Sequence, residues 1–217
     1  GADPINSTGP GAIIVLTYVG GGSYFELMPG WPVLAFDELG GSGNRPDGAP
    51  DGFTSTPALG DIDGDGDMEI VIGGMDRRLH AFHHNGSYVL GWPLAREYGI
   101  LRESRSTASL ADLDGNGVLD IIIGSNNYGL PNCANPYLFY AIKGNTLPIP
   151  GFPFSTTQNI ESSPALGDIN NDGSLDIVFG TGDFNESCGQ PSDGKKVYAL
   201  NNLGQPLPGW PVRTNAN

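Results

Sequence analysis

The chain has 217 residues, of which 38% are hydrophobic, enough for a folded domain with a sizeable core. Its formal charge of −14 argues against nucleic-acid backbones and anionic membrane surfaces as partners and favours bound cations. The 34 Gly and 18 Pro follow no collagen period, which predicts short strands joined by many turns, and the longest apolar runs are too short to cross a membrane.

The beginning of the chain shows no secretion signal. Its first residues, "GADPINSTGPG", contain neither a basic start nor an apolar core. Residues 1–10 are expected to be a flexible segment. The sequence as given is therefore expected to be a mature form or a fragment. Residues 11–36 follow with two extended stretches and a Gly-Trp-Pro sequence.

An internal repeat dominates the rest of the chain. "STPALGDIDGDGDMEIVIGG" at 55–74 returns as "STASLADLDGNGVLDIIIGS" at 106–125 and as "SSPALGDINNDGSLDIVFGT" at 162–181. Gly-aromatic-Pro sequences, "GWP" at 30, 91 and 209 and "GFP" at 151, close each unit. The period divides the chain into units at 53–95, 104–155 and 160–213, with 11–36 matching only the last two strands of a unit.

Each unit contains four short extended pieces. In the first they are "TPAL", "EIVIGG", "RLHAFHH" and "GSYVLGWPL", separated by turn sequences such as Asn-Gly. Four strands in about 50 residues is the pattern of a β-propeller blade. The second strand is apolar at successive positions, which predicts burial on both faces between neighbouring blades. The sequence thus predicts an all-β propeller with about three and a half four-stranded blades.

An acidic turn joins the first two strands of every unit. At equivalent positions each turn carries side-chain or backbone oxygens on five residues: Asp61, Asp63, Asp65, Asp67 and Glu69; Asp112, Asp114, Asn116, Val118 and Asp120; Asp168, Asn170, Asp172, Ser174 and Asp176. At the fourth of these positions the backbone carbonyl is expected to supply the oxygen. The glycine that precedes it, Gly66 in the first turn, permits a sharp bend.

These turns are predicted to bind three calcium ions. Carboxylates about 4 Å apart repel each other by roughly 4 kcal/mol at an effective dielectric constant near 20, so their accumulation calls for a counter-ion. A flexible cage of oxygen ligands suits calcium better than magnesium. A helix-loop-helix calcium hand is excluded, because the position of its bidentate Glu holds Ile72, Ile123 or Phe179. Metal-free Asp/Gly turns are the alternative.

The turn sequence and its surroundings resemble a known repeat. "DIDGDGDMEIVIGG" after "ALG" is similar to the FG-GAP or VCBS repeat of integrin α-subunit propellers and of many secreted bacterial and archaeal proteins. The resemblance covers about residues 11–212 and implies a β-propeller with one calcium ion in the turn between the first two strands of each full blade. The Phe-Gly and Gly-Ala-Pro signatures of integrins are poorly kept, so integrin-type ligand recognition is not implied.

The long loops are all expected on the face opposite the acidic turns. They carry aromatic and guanidinium groups suited to recognition, namely Arg96, Tyr98, Arg102, Arg105, Tyr128 and Phe184. Ordinary solvated loops are the alternative. Cys133 and Cys188 lie in matching loops of successive units and are predicted to form a disulfide, which requires an oxidising compartment. Asn6, Asn85 and Asn185 begin candidate glycosylation sequons.

Two further residue sets have competing interpretations. His80, His83 and His84 are the only histidines. A zinc site formed by them is one interpretation, but the sequence nearby offers it no carboxylate or Cys partner. Strand alternation places His83 on the side opposite the other two. Trp31, Trp92, Phe152 and Trp210 recur with the blade period, which favours packing over a sugar-stacking platform.

The predicted function is that of an extracellular, calcium-binding structural or adhesive module without enzymatic activity. The incomplete first unit suggests self-association into oligomers or fibres, or completion by the remainder of a larger propeller, with a protein or glycan ligand on the long-loop face. The alternatives are a lectin-like carbohydrate-binding module and a non-catalytic part of a larger secreted enzyme such as a polysaccharide lyase. No nucleic-acid partner and no transmembrane segment are expected.

Overall fold

The computed structural model describes residues 11–19, 24–34, 52–53, 55–74, 76, 78–94, 106–125, 137–182 and 195–214. These residues form short strands and turns, and none of them lies in a helix, which confirms the all-β prediction. The strands are β1 (Ala12–Ile13), β2 (Leu16–Val19), β3 (Tyr24–Leu27), β4 (Val33–Leu34), β5 (Ala58–Gly60), β6 (Glu69–Gly73), β7 (Leu79–Phe82), β8 (Ser109–Ala111), β9 (Asp120–Gly124), β10 (Tyr137–Ile142), β11 (Phe154–Thr156), β12 (Ala165–Gly167), β13 (Asp176–Gly180), β14 (Lys196–Leu200) and β15 (Val212–Arg213).

The three repeats form three antiparallel sheets, each with its strands in chain order. Sheet I contains β5, β6 and β7, and a bridge between Leu79 and Leu94 continues it at the place of a fourth strand. Sheet II contains β8 to β11 and sheet III contains β12 to β15. The registers correspond, since Ala58 pairs with Val71 as Ala165 pairs with Val178. Equivalent positions of the sequence repeat therefore occupy equivalent places in the sheets.

The second strand of a sheet lies between two layers of core. Ile70 and Ile72 pack into a cluster with the N-terminal Ile13 and Trp31, whereas Val71 between them packs towards sheet II. Because successive side chains of a strand point to opposite faces, an uninterrupted apolar run is needed to fill both layers. All five residues of β6 and of β9 are buried, which confirms the prediction for these two strands.

Large side chains fill the layer between sheets II and III. Phe139 stacks on Phe179 with ring centroids 4.0 Å apart, and Phe179 stacks in turn on Tyr198 at 5.2 Å. Burying an aromatic or large aliphatic side chain contributes about 1.5–3 kcal/mol. The sheets are therefore held together face to face, and this stacking fixes where each acidic turn lies relative to the next sheet.

The Gly-aromatic-Pro sequences connect neighbouring units. Trp31 Nε1 donates to the carbonyl oxygen of His84 in sheet I, and Trp92 Nε1 donates to that of Gly144 in sheet II, both at 2.8 Å. Trp31, Trp92 and Phe152 are all buried, with 6–8% of their surface exposed, which agrees with the predicted packing role. Trp210 is half-buried.

The N-terminal unit has two pairs of strands. β1 pairs with β4, joining Ile13 to Val33 as the bridge joins Leu79 to Leu94 in sheet I. Between them, β2 and β3 form an extended hairpin that the other units replace by a tight turn. The cross-strand pairs Leu16 with Leu27 and Tyr18 with Phe25 share one face of this hairpin, and all four side chains are more than half exposed.

Candidate metal centre

The first aspartate of each acidic turn organises the loop that follows it. Asp61 accepts hydrogen bonds from the backbone N–H groups of Gly64 at 2.6 Å and Gly66 at 3.0 Å. The bond from the glycine recurs in the other turns, from Gly117 to Asp112 at 2.8 Å and from Gly173 to Asp168 at 2.9 Å. The second bond there comes from the residue before this glycine, Asn116 at 2.8 Å and Asp172 at 3.0 Å, and not from the counterpart of Gly64. The sharp bend needs the positive φ of 88–95° found at Gly66, Gly117 and Gly173.

A second bond repeats in all three turns. Asp65 Oδ1 accepts from the N–H of Asp67 at 2.9 Å, and the Asn116–Val118 and Asp172–Ser174 pairs make the same contact at 2.8 Å. The Ser174 amide, helped by the Asn170 side chain, holds the pKa of Asp172 below its usual value. The three turns thus share two hydrogen bonds at matching sequence positions, this one and the bond from the glycine to the first aspartate.

A buried carboxyl group closes the base of each turn. Glu69, Asp120 and Asp176 each begin the second strand of a sheet and are at most 1% exposed. Each accepts from the backbone N–H of the second turn residue, at 3.0 Å from Ile62, 2.9 Å from Leu113 and 3.0 Å from Ile169. Burial is the main cause that raises the pKa of Glu69 and of Asp120 above the usual values.

One of these carboxyl groups has an unsatisfied atom. Asp176 Oδ1 is buried and has no hydrogen-bond partner, although Oδ2 of the same group accepts from Ile169. A buried oxygen left without a partner costs about 1–3 kcal/mol, more when it is charged. A hard divalent cation would satisfy this oxygen. The other side chains of the turn that could bind the cation, those of Asp168, Asn170 and Asp172, also offer oxygen atoms. The residues therefore fit a calcium ion.

Ligand atoms come close together in two of the turns. One ligand atom from each of Asp63, Asp65, Glu69 and His83 lies within 4.8 Å of every other, and the same holds for Asp112, Asp114 and Asp120. Either group could hold a metal ion. Asp67, by contrast, has a side chain that is 65% exposed. Within the part of the chain described here, the carboxylates of the third turn form no group of this compactness.

The residue after the third strand of a sheet contacts the acidic turn in sheets I and II, which was not predicted from the sequence. His83 follows β7, and its ring lies 3.3 Å from Glu69 through Nδ1 and 4.0 Å from Asp63 through Nε2. Lys143 follows β10 and donates to Asp114, which raises the pKa of the lysine. His83 is 14 residues from Glu69 and Lys143 is 29 from Asp114. From the sequence, these two residues could have been identified only by aligning the repeats beyond the acidic turns.

The other two histidines do not join His83. His80 is fully buried, with Nε2 2.9 Å from Asp76 Oδ2 and Nδ1 3.0 Å from the Tyr88 hydroxyl. Burial raises the pKa of that hydroxyl to about 12. His84 is mostly exposed, 3.6 Å from Asp67. His80 has a carboxylate partner only four residues away, so the expectation that such partners are lacking nearby in the sequence is wrong for this residue. For His83 and His84 the carboxylates come from the first acidic turn, 14 or more residues away.

A groove connects the first acidic turn to the second. It has a volume of ≈ 540 Å³, and its lining includes Asp63, Asp65, Asn116, Asp120 and Lys143 together with apolar residues such as Val89. Both groups of close ligand atoms border this space. A cation from solvent thus has a path to each of them.

Several predicted sites lie outside the described residues: the loop residues Arg96, Tyr98, Arg102, Arg105, Tyr128 and Phe184, the cysteines Cys133 and Cys188, and the sequon asparagines Asn6 and Asn185. Asn85 is described and is exposed at the turn after β7, where its Oδ1 accepts from the N–H and hydroxyl of Ser87. Among the described residues, no helix is long and apolar enough to span a bilayer.

Comparison with solved structures finds several similar chains, two of which are described here. The chain is similar to the C-terminal domain of PilY1 from Pseudomonas aeruginosa, at 19% identity and a TM-score of 0.46, over 67% of this chain and 29% of that one. It is also similar to the biofilm matrix protein Bap1 of V. cholerae, at 18% identity and a TM-score of 0.39, over 95% of this chain and 36% of that one. The chain thus spans about a third of each structure. No curated protein matches it.

The family comparison matches the acidic repeats themselves. The model of the FG-GAP-like repeat matches residues 61–123 and again 112–179, and these two segments together cover more than half of the chain. Each matched segment runs from one acidic turn through the second strand of the following sheet. The chain therefore belongs to the FG-GAP-like repeat family.

Proposed function

We propose that this chain is an extracellular calcium-binding β-propeller module with a structural or adhesive role and no catalytic activity. Its units are a half blade at 11–36 and full blades at 53–95, 104–155 and 160–213. One observation carries the proposal: in each repeat a buried carboxyl group, exemplified by Asp176 with its unpartnered oxygen, lies at the base of a turn of oxygen ligands.

The proposed ligands are those that the repeat aligns. Three calcium ions are held by the side chains of Asp61, Asp63, Asp65 and Glu69, of Asp112, Asp114, Asn116 and Asp120, and of Asp168, Asn170, Asp172 and Asp176, with the backbone carbonyls of Asp67, Val118 and Ser174. Calcium neutralises the carboxylates of each turn and ties the first strand of a blade to the second. This role is one of stability, because the bound ion bridges elements that pack into the core.

A non-catalytic role is supported by the state of the acid and base groups. Carboxylates that ligate calcium are poor proton carriers, because the ion holds them ionised. The Asp76–His80 pair, which lies outside the acidic turns, has both side chains fully buried, which keeps it away from a substrate in solvent. An extracellular location is supported by the FG-GAP-like repeat, which occurs in many secreted proteins.

Calcium is expected to raise the melting temperature. With dissociation constants of about 0.1–1 mM, 1 mM calcium adds roughly 0.4–1.4 kcal/mol per site. Three sites together add roughly 1–4 kcal/mol, or about 3–15 °C for a domain of this size. Differential scanning calorimetry in calcium and after chelation measures the shift, with magnesium as the control ion. An unchanged melting temperature after chelation would refute the stabilising role.

Self-association is supported by the apolar face of the β2–β3 hairpin. Leu16, Tyr18, Phe25 and Leu27 are each 51–64% exposed on a face that no described residue covers, and exposed apolar faces of this kind mark contact surfaces. The hairpin projects from the N-terminal unit, where it can meet another copy of the chain. We propose that this face contributes to assembly.

Removing the two aromatic rings from this face is expected to prevent association. The double variant Tyr18→Ser/Phe25→Ser should remain monomeric at concentrations at which the unchanged chain forms larger species, as measured by light scattering. Tyr24→Ser is the matched control, because Tyr24 is 52% exposed on the opposite face of the same hairpin. Equal molar masses for all three proteins would contradict the assignment of this face.

A further inference from the structure

The three acidic turns differ in the residue that follows the third strand. His83, Lys143 and Asn201 occupy this position, and each donates its backbone N–H to the carbonyl of the residue four places further on, at 2.8–2.9 Å. Their backbones are therefore in the same conformation. What differs at this position is the side chain.

In the second turn this side chain brings a positive charge to the ligands. The Lys143 ammonium donates to Asp114 Oδ2, and Asp114 is the counterpart of Asp63 in the first turn. The position thus directs a side chain at the same aspartate in both turns. In the third turn Asn201 bonds instead to Gln205 within its own hairpin.

The imidazole of His83 is held in a defined orientation. Its Nδ1 lies 3.3 Å from Glu69 Oε1. An ionised carboxylate only accepts hydrogen bonds, so Nδ1 carries the proton in the neutral ring and Nε2 keeps its lone pair. The Glu69 side chain is fully buried, so its position is fixed by the surrounding residues and it restrains the imidazole ring.

The free nitrogen faces a carboxylate across a gap. His83 Nε2 and Asp63 Oδ2 are 4.0 Å apart, too far for a hydrogen bond. One metal ion about 2.0–2.2 Å from each atom would span this distance. A histidine that donates its other N–H to a carboxylate is the usual arrangement around a bound zinc ion, because the carboxylate fixes the ring and raises the basicity of the ligand.

We propose that the first acidic turn is a mixed nitrogen–oxygen site for a divalent transition metal of the Zn²⁺ type, bound by His83 Nε2, Asp63 and Asp65. Glu69 acts as a positioning residue that holds the imidazole. Imidazole suits zinc and related metals, whereas calcium takes oxygen ligands only, so zinc displaces calcium at this turn but not at the other two. The inference rests on the proposed cation-binding role of the turns.

Calorimetric titration with ZnCl₂ in saturating calcium tests the site. The unchanged chain should bind one zinc ion at the first turn, and His83→Asn should weaken this binding at least about tenfold, as expected for loss of a residue of a metal centre. Asn is the residue that the third repeat carries at this place, so the variant is compatible with the fold. His83→Gln serves as a second variant, and His84→Asn, next to it and exposed, is the matched control.

Cobalt provides a readout that is independent of affinity. Co²⁺ bound through His83 should give a visible absorption spectrum that changes in His83→Asn but not in His84→Asn. Equal zinc binding by the unchanged chain and His83→Asn would overturn the inference. Calcium binding without zinc binding would overturn it too but leave the proposed function standing, whereas failure to bind either ion would refute both.

Discussion

Gly151→Ala is expected to lower the free energy of unfolding by about 2–5 kcal/mol, while Gly209→Ala lowers it by only about 1–2 kcal/mol. Both glycines open a Gly-aromatic-Pro sequence and have a positive φ, 94° and 86°. A residue with a side chain in this backbone conformation destabilises the fold by about 1–2 kcal/mol, and this loss applies to both variants. At Gly151 the added Cβ would also lie 2.0 Å from the carbonyl oxygen of Leu203, whereas no atom lies within 4 Å at Gly209.

The additional loss at Gly151 measures the contact between sheets II and III. A backbone carbonyl cannot turn aside as a flexible side chain can, so the two units must separate, and overpacking of this kind costs typically 1–3 kcal/mol. Urea denaturation of both variants in calcium gives the two free energies. Equal losses would mean that backbone conformation alone, and not close approach between units, requires glycine in this motif.

The repeat predicted most of the fold because each unit must present the same chemistry to its neighbours. The runs that contain Val71 and Ile122 are apolar at every position, which only a strand buried on both faces explains. The N-terminal hairpin could not be predicted in this way. Leu16 and Tyr18 flank Thr17, and Phe25 and Leu27 flank Glu26, as residues of a buried strand face do. Tyr18 and Phe25 are nevertheless more than 60% exposed, and sequence alone does not show what covers a strand.

The local hydrogen bonds of the acidic turns follow from the residues of the turns themselves, whereas the neighbours of the turns could not be predicted. Asp61 and Asp63 belong to a local motif whose spacing fixes its geometry. His83 reaches the same turn only because β7 pairs with β6 and ends beside it. A contact made across paired strands depends on register, and a short motif does not contain that information.

Acidification is expected to act in opposite directions on the metal-free and the calcium-loaded protein. Burial raises the folded-state pKa values of Glu69 and Asp120 above their usual 4.5 and 3.8. The stability that these groups contribute in the metal-free protein is therefore complete below the unfolded-state pKa and is lost as pH rises through the folded-state pKa. Lowering the pH from 7 towards 5 should raise the stability of the metal-free chain, and its net charge of −14 acts in the same direction.

In calcium the stability should instead fall as the pH is lowered, because calcium binds the ionised carboxylates and protons compete with it for these groups. Asp120→Asn separates the two effects. The amide keeps an oxygen that can accept from the Leu113 N–H without burying a charge, although its NH2 group cannot accept from the Asp114 N–H as the carboxylate does. The variant should therefore be about as stable as the unchanged chain when metal-free at pH 7, and less sensitive to pH. In calcium it should lose about 0.4–1.4 kcal/mol, the contribution of one site.

Asp120→Ala is the contrasting variant. It leaves the buried Leu113 N–H without its acceptor and should cost about 1–3 kcal/mol with or without calcium. Chemical denaturation of both variants at pH 5 and 7, in chelator and in calcium, tests the argument. If Asp120→Asn destabilises the metal-free protein as much as Asp120→Ala does, then the buried charge stabilises the turn by itself, and calcium is not what compensates for its burial.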